Sequence, residues 1–411
     1  MSLHTVGSDA TYILPASMDS IPEAFRSNRS AKPIPCVLQT VNIPALSANT
    51  TASGTSVIQI PCGASAGIMM NPYLSFKVNL TGTDKDTIKF KGASLAASSV
   101  INRLSTYVNS VQVDNIQNAD QVYDCLFSHS TSADWLAHDA KVLMLADSGL
   151  VVAGTTTGAK NVVLPLIGML GSQQAFPLYL INGQLQVQLD YNTAARAAWG
   201  AAAAVTDYAI SDVQLIYDRL QPEQAFIESV RGAMAAGQNF VYAYTNYQSV
   251  PKVSAANSTF NYGLNVSSLR GVIQTSVLTA DLSDSKAQGK SASNTLTQFR
   301  VSLDGRLVNS NTLNSSTSPA LCFAEAQKCL SRVFDASITD AASSPATYLS
   351  DSFFVGTSAQ RVNEGLAFAG SPVSVVSVES SAAGATFTDF LLFIADYQML
   401  VDASGSVQLV R

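Results

Sequence analysis

Charge is what this chain has least of. Asp, Glu, Lys and Arg supply 13% of its 411 residues, about half of the roughly 25% usual in soluble domains. With a formal net charge of −6, the chain as a whole is no polyanion binder. Histidine is scarce too: His4, His129 and His138 are the complete set. The five cysteines (Cys36, Cys62, Cys125, Cys322, Cys329) are odd in number and show no CxxC spacing, so they read as buried, reduced thiols. Cys322 and Cys329 share a helical face but sit roughly 10.5 Å apart along the axis, too far for a disulfide. No apolar run approaches about 18 residues, since AWGAAAAV and VLMLADSGLVVAG are short or broken by Asp147; no membrane-spanning helix is expected. The start, MSLHTVGSDATYIL, lacks a basic segment and an apolar run, so no signal peptide is expected. An outer-membrane barrel, which also alternates and is also charge-poor, would need one.

What is present is apolar and neutral polar. An apolar fraction of 47% can bury a large core, which rules out a disordered chain. Ser, Thr, Asn and Ala stand where charges would be. Such a surface suits a subunit covered on several sides by other protein, because interface cores are depleted in charge.

Most of the chain has the two-residue period of half-buried strands. Residues 74–80 (LSFKVNL), 185–189 (LQVQL), 213–217 (VQLIY) and 299–303 (FRVSL) alternate apolar and polar side chains, which places one face of each strand on a core. Asp304-Gly305 follows the last of these and predicts a tight hairpin with Leu307-Val308 returning. Helices are few. Ser318-Pro319 opens one over 320–334, Pro222-Glu223 opens another that closes at Gly237, and a third covers 119–127.

The pattern also repeats. VINRLSTYVNSVQVDNIQ (100–117) followed by ADQVYDCLF matches TLTQFRVSLDGRLVNSN (295–311) followed by ALCFAEAQKCL. Likewise SDVQLIYDRL (211–220) matches TDFLLFIADYQML (388–400), each pair roughly two hundred residues apart. These matches imply a duplicated β unit.

This arrangement resembles the double-jelly-roll major capsid proteins of adenoviruses, tectiviruses, virophages and large DNA viruses. The segment 161–191, with its Leu-Pro-Leu and Pro-Leu blocks, is similar to the family's strand, turn and loop leading into a long alternating strand. SSLRGVIQTSVL (267–278) looks like the strand that opens the second roll. FRVSLDGRLV with the Glu325-bearing helix resembles the strand, turn and helix of that roll. FTDFLLFIADYQMLVDASGSVQLVR (387–411) looks like the C-terminal strand pair. The resemblance implies an all-β fold of two tandem eight-stranded antiparallel jelly rolls with a few short helices. The expected division is an N-terminal arm (1–33), a first roll (34–221), a helical connector (222–238) and a second roll (239–411). The implied role is a structural, non-enzymatic subunit of the virion: a homotrimeric, pseudo-hexameric capsomer contacting neighbouring capsomers and minor or penton proteins. The alternatives are a carbohydrate-binding β-sandwich adhesin, which would need exposed Trp or Tyr platforms, and a hydrolase.

The hydrolase rests on Gly63-Ala64-Ser65-Ala66-Gly67, a formal GxSxG that should run from strand straight into helix. Met69-Met70-Asn71-Pro72 stops any helix there, so an inter-strand loop is expected. Gly289-Lys290-Ser291 ends like a P-loop, but Asp284 stands where the first glycine belongs, and a solvated loop is expected. Asp84-Lys85-Asp86 and Asp281/Asp284 lack calcium-loop spacing and read as turn residues. His129 and His138, flanking Asp134 and Trp135, are a poor zinc pair and read as a surface or interface pair. Arg26, Arg29 and Lys32 make a small basic cluster offset by Asp19 and Glu23, read as a docked or solvated arm that could touch genome or inner membrane. Asn-x-Ser/Thr triplets at Asn28, Asn49, Asn79, Asn257, Asn265 and Asn314 are chance in so Asn-, Ser- and Thr-rich a chain. No catalytic, cofactor-binding or metal-binding residue is assigned.

Overall fold

The computed structural model describes residues 36–411 except 48, 83–87, 132–134, 136, 146–158, 172–174, 201–204, 255–256, 309–310, 331–346, 361–369 and 383–385. The basic cluster, His4, Asp84-Lys85-Asp86, Asp134 and Asp147 lie outside the described residues, as do the last residues of the predicted 318–334 helix.

The first twelve strands are β1 (Cys36–Pro44), β2 (Asn49–Thr51), β3 (Thr55–Pro61), β4 (Ile68–Gly82), β5 (Ile88–Phe90), β6 (Ile101–Val108), β7 (Val111–Gln117), β8 (Lys160–Pro165), β9 (Phe176–Pro177), β10 (Gln184–Tyr191), β11 (Ala198–Gly200) and β12 (Val205–Pro222). Their pairing is nested. The first long strand pairs with the last, Cys36↔Pro222 through Pro44↔Gln214. Inside that, β3 pairs β10, β4 pairs β8, and β6 pairs β7, all antiparallel. The resulting sheets run β1-β12-β4-β8 and β3-β10-β6-β7. A chain folded as one long hairpin and rolled over itself gives this order, the jelly roll. Alternation sets which face is inside: Leu185, Val187, Leu189 and Tyr191 of β10 are buried, and the residues between them are not.

The second half repeats the scheme with β13 (Phe240–Val253), β14 (Ser258–Leu278), β15 (Leu296–Leu303), β16 (Arg306–Leu307), β17 (Phe354–Ser358), β18 (Ser371–Ala382), β19 (Phe387–Val401) and β20 (Val407–Val410). Again the first strand pairs with the last long one, β13 with β19. Here two strands of the roll are fused. The first half of β14 pairs β18 and its second half pairs β17 and β19, and the register shifts between Gly263 and Leu269 where the strand bends within one continuous eight-stranded sheet. Asn265 takes a positive φ of 48° in that bend, a conformation Asn tolerates better than most residues. The pair β15/β16 closes the nest through Asp304 (φ 47°) and Gly305 (φ 77°), the double-positive turn expected of Asp-Gly.

One expectation is corrected. Residues 267–278 do not open the second roll; β13 does, and 267–278 is the far half of β14. The resemblance of 267–278 to an opening strand rested on its local pattern, whereas only the pairing partner tells which strand is first.

Among the described residues, three helices longer than five residues pack on the rolls or join them: α1 (Ala119–Ser130), α2 (Gln224–Ala235) and α3 (Pro319–Cys329). The helices α1 and α3 occupy equivalent places, each after the innermost hairpin of its roll. A surface helix shows one polar face, but α1 buries Asp120, Ser128 and His129 together with Val122, Tyr123 and Cys125, because the second roll covers its outer side. Helix α3 lies along β17, with Phe323 edge-on to Phe354 at 5.7 Å. Phe354 is fully buried and also meets His129 of α1, ring centroids 3.5 Å apart. Phe354→Ala should therefore cost roughly 3–5 kcal/mol and loosen both rolls, measured as a lower denaturant midpoint in chemical unfolding.

Candidate functional site

The residue patterns that could carry chemistry end up in structural work. Ser65 sits in the turn between β3 and β4, and β4 starts at Ile68, so the turn joins strand to strand. Gly67 (φ +71°) is required there, since a Cβ would meet the Leu220 carbonyl oxygen at 2.6 Å. A nucleophile elbow needs a helix at this point, to which Ser65 has no access. The expected surface pairing of His129 and His138 is overturned: His138 is exposed, while His129 is only 2% exposed and stacked on Phe354. Burial pulls its pKa down to about 3, so it is neutral near neutral pH. Among the described residues no cluster of three or more His, Cys, Asp or Glu could hold a metal, and all five cysteines are free thiols.

The loop carrying Gly289-Lys290-Ser291 is also not what its polarity predicts. It is docked rather than solvated. Lys91, 5% exposed, reaches from the first roll and donates from Nζ to the backbone carbonyls of Asp281 and Asp284, at 2.5 and 2.7 Å. Gly92 N–H donates to Gln288 O, and Gly200 N–H to Ser285 O. Lys290 in turn pairs with Asp351 at 3.1 Å. Burial lowers the Lys91 pKa to about 8, partly opposed by Asp281 and Asp284. The two aspartates thus act through their main-chain oxygens, binding roll to roll.

A second part of the seam runs between β7 and β13. Tyr244 Oη donates to Val113 O, Tyr242 Oη donates to Met169 O at 3.1 Å, and Tyr242 meets Phe176 edge-on at 5.2 Å. At the centre is Asp114, 3% exposed. Its carboxylate accepts from Met169 N–H at 2.8 Å and from Asn246 Nδ2. Gly168 (φ +73°) leaves room for it; a Cβ there would lie 1.9 Å from Asp114 Oδ2. Burial raises the Asp114 pKa to about 7, only partly offset by those hydrogen bonds. A third tie joins loop tips, Asn109 and Asn182 donating to the carbonyls of Gly405 and Ser404 at 2.8 Å each. Asp114, Asn246 and Lys91 carry no sequence signal: each is isolated, and Asp114 and Asn246 lie 132 positions apart.

Outward, the apolar exposure is concentrated on edges. The first five residues of β1 are exposed on both faces, and Val37, Leu38 and Leu46 are each about two-thirds exposed. Among the described residues β1 pairs with β12 on one side only, leaving a row of main-chain donors and acceptors on the other.

No family model and no curated protein matches the chain in sequence. Solved structures do match. The capsid protein VP54 of PBCV-1, fitted into a reconstruction of the virophage Sputnik, aligns with TM-score 0.62 at 10% identity, covering 94% of this chain and 99% of that one. The Faustovirus major capsid protein aligns with TM-score 0.62 at 8% identity, over 90% and 92% of the two chains. A chain of the Sputnik virophage structure aligns with TM-score 0.55 at 10% identity, over 91% and 88%. The fold is the double jelly roll. Coverage of nearly the whole of both chains means that the likeness includes both rolls of the double jelly roll and the way they sit together.

The raised pKa of Asp114 has a signed consequence for this double jelly roll. The folded chain holds the proton up to about pH 7, whereas the unfolded chain releases it near the ordinary 3.8. Between those values the folded state binds more protons, so this contribution is fully present below about pH 4 and is lost as pH rises through about 7, by ~1.4 kcal/mol per pH unit at most. Asp114→Asn should flatten that part of the profile, because the Asn246 amide can turn over to pair with it. Melting temperatures of both proteins from pH 4 to 8 check this; parallel curves would assign the pH dependence to other groups.

Proposed function

We propose that this chain is a major capsid protein, the structural subunit of an icosahedral virion. The observation that carries the reading is the nested strand order present twice in one chain, β1-β12-β4-β8 with β3-β10-β6-β7, then β13-β19-β14-β18-β15-β16 in one continuous sheet with β17 also on β14. The reading divides the chain into an arm (1–33), a first roll (34–221), a connector (222–238) and a second roll (239–411), which the position of α2 between β12 and β13 supports. Two similar upright sandwiches per subunit give a three-subunit ring six lobes, and a six-lobed ring fills a surface lattice. The apolar, two-faced start of β1 and the sparse surface charge supply lateral contact of the kind obligate interfaces use. Neighbouring capsomers and minor or penton proteins are the expected partners, and the arm residues Arg26, Arg29 and Lys32 the part facing genome or inner membrane.

Neither tryptophan offers the adhesin reading an open platform. Trp199 is 9% exposed, and Trp135 packs against Phe127 at 5.7 Å.

If apolar contact holds the ring, light scattering should give a mass near three times 43.2 kDa both at low ionic strength and in 1 M salt, where charge pairs reach only about 3 Å. A monomer in both buffers would reject the trimer; a trimer only at low salt would assign it to charge pairs.

The non-enzymatic reading has its own check. Ser65→Ala should leave folding and assembly unchanged and abolish no turnover of p-nitrophenyl esters. An esterase activity lost in that variant would restore the hydrolase.

A further inference from the structure

The free edge of β1 has a definite hydrogen-bonding pattern. Ala45 N–H donates to Val213 O, and the β1/β12 ladder runs without a register shift from Cys36↔Pro222 to Pro44↔Gln214. In an antiparallel ladder each residue turns both of its main-chain groups to the same side. Val37, Gln39, Val41 and Ile43, in step with Ala45, therefore turn theirs to β12. Cys36, Leu38, Thr40 and Asn42 turn theirs outward, where no described strand meets them. Pro44 falls in the outward set, where its missing N–H takes nothing from the ladder with β12.

Natural edges are guarded by charge, by bulges or by brevity. From Cys36 to Asn42, β1 carries none of these: the strand is nine residues long and unbulged, and the sequence has no charged side chain from Pro33 to Phe76. The side chains say what kind of strand fits. Val41 and Ile43 pack partly on the core of the first roll, whereas Val37, on the same face, is 66% exposed. A second β1, laid antiparallel with a two-fold axis at Gln39, matches the first throughout. Leu38 then opposes the partner's Thr40, and Cys36 opposes the partner's Asn42, so all four outward residues of both copies are hydrogen-bonded and Pro44 lies beyond the pairing. On the core-side face the exposed Val37 covers the partner's Val41. An axis at Leu38 would leave Asn42 unmatched, and an axis at Thr40 would set Cys36 against a proline.

We propose that β1 pairs with β1 of a second copy of this chain, antiparallel and two-fold about Gln39, joining two β1-β12-β4-β8 sheets into one. The setting of this contact rests on the capsid reading. A two-fold contact cannot close a ring of three, so the two copies belong to neighbouring capsomers. One strand pair is a small part of the roughly 800 Å² per partner of a stable interface. Isolated capsomers therefore keep their mass, and the contact accumulates where many of them meet.

Disulfide trapping tests the pairing, in the full chain with Cys36→Ser to remove the strand's own thiol. Residues opposed at the axis form a non-hydrogen-bonded pair with Cα atoms about 4.5 Å apart, within the range of a disulfide. Gln39→Cys should therefore cross-link to its own copy under diamide. Val37→Cys offers an exposed thiol on the same face, but its two copies lie four positions out of register, roughly 14 Å apart, and it serves as the control for random collision. The expected result is at least tenfold more dimer on non-reducing gels for Gln39→Cys than for Val37→Cys. That dimer should be lost when Thr40→Pro removes an outward N–H, or when Val37→Lys sets a cation against the partner's Val41. Melting temperatures recorded in parallel show which variants fold, and Val37→Lys, which leaves every main-chain group in place, decides if Thr40→Pro does not. Equal cross-linking of the two cysteines, no cross-linking of Gln39→Cys, or cross-linking that survives in the folded blocking variants overturns the proposal. Scattering before oxidation reads the capsomer separately: trimers that do not cross-link keep the capsid reading and reject the edge pairing, and cross-linked dimers of a monomeric protein do the reverse.

Discussion

Everything in this molecule depends on the requirement that each roll's last long strand be central. β12 and β19 must each find a partner on both sides, one from the start of the roll and one from its middle, before either sheet exists. These are the most distant contacts in each half, and their closure entropy is met only when many ladder bonds form together. Cooperative closing explains why β19 is so thoroughly buried, with nine consecutive buried residues from Asp389 to Tyr397. One face of it lines the sandwich. The other meets the first roll, where Arg196 lies over the Phe390 ring at 5.7 Å.

The seam follows from that placement. Two sandwiches in contact cannot present only apolar faces to each other, because loop tips and strand ends bring main-chain groups with them. Those groups are matched by single polar side chains: Lys91 on two carbonyls, Asn109 and Asn182 on two more, Tyr242 and Tyr244 on two more. Part of the chain's few charges is therefore spent inside. Arg196 holds the buried Asp120 at 2.9 Å, and Arg270 holds the buried Asp396 at 2.5 Å. A low charge count combined with buried ion pairs leaves the exterior poorer still in charge.

Much of this was legible in the sequence. Alternation located β10, β15, residues 74–80 of β4 and 213–217 of β12, and Asp304-Gly305 located the innermost hairpin of the second roll, since these signals depend on neighbours two to four positions apart; the hairpin-plus-helix pattern, recurring about two hundred residues later, revealed the duplication. The order of strands was not legible where two roll strands merge. β14 is one uninterrupted run of 21 residues, and Gly263 and Asn265 stand out as its bend only once the pairing on either side of them is known. His129 was misplaced for a related reason: an amphipathic helix tells which face is buried against its own sheet, and α1 is covered on the other side by a strand more than two hundred residues downstream.

By itself, then, the sequence determined the local conformations, the two-fold repeat and the neutral character of the surface, all properties of short windows or of composition. The tertiary structure alone decided which polar groups meet. Asp114 draws its raised pKa, and Lys91 its lowered one, from burial at the seam, and burial is a sum over contacts made by residues far apart in the chain.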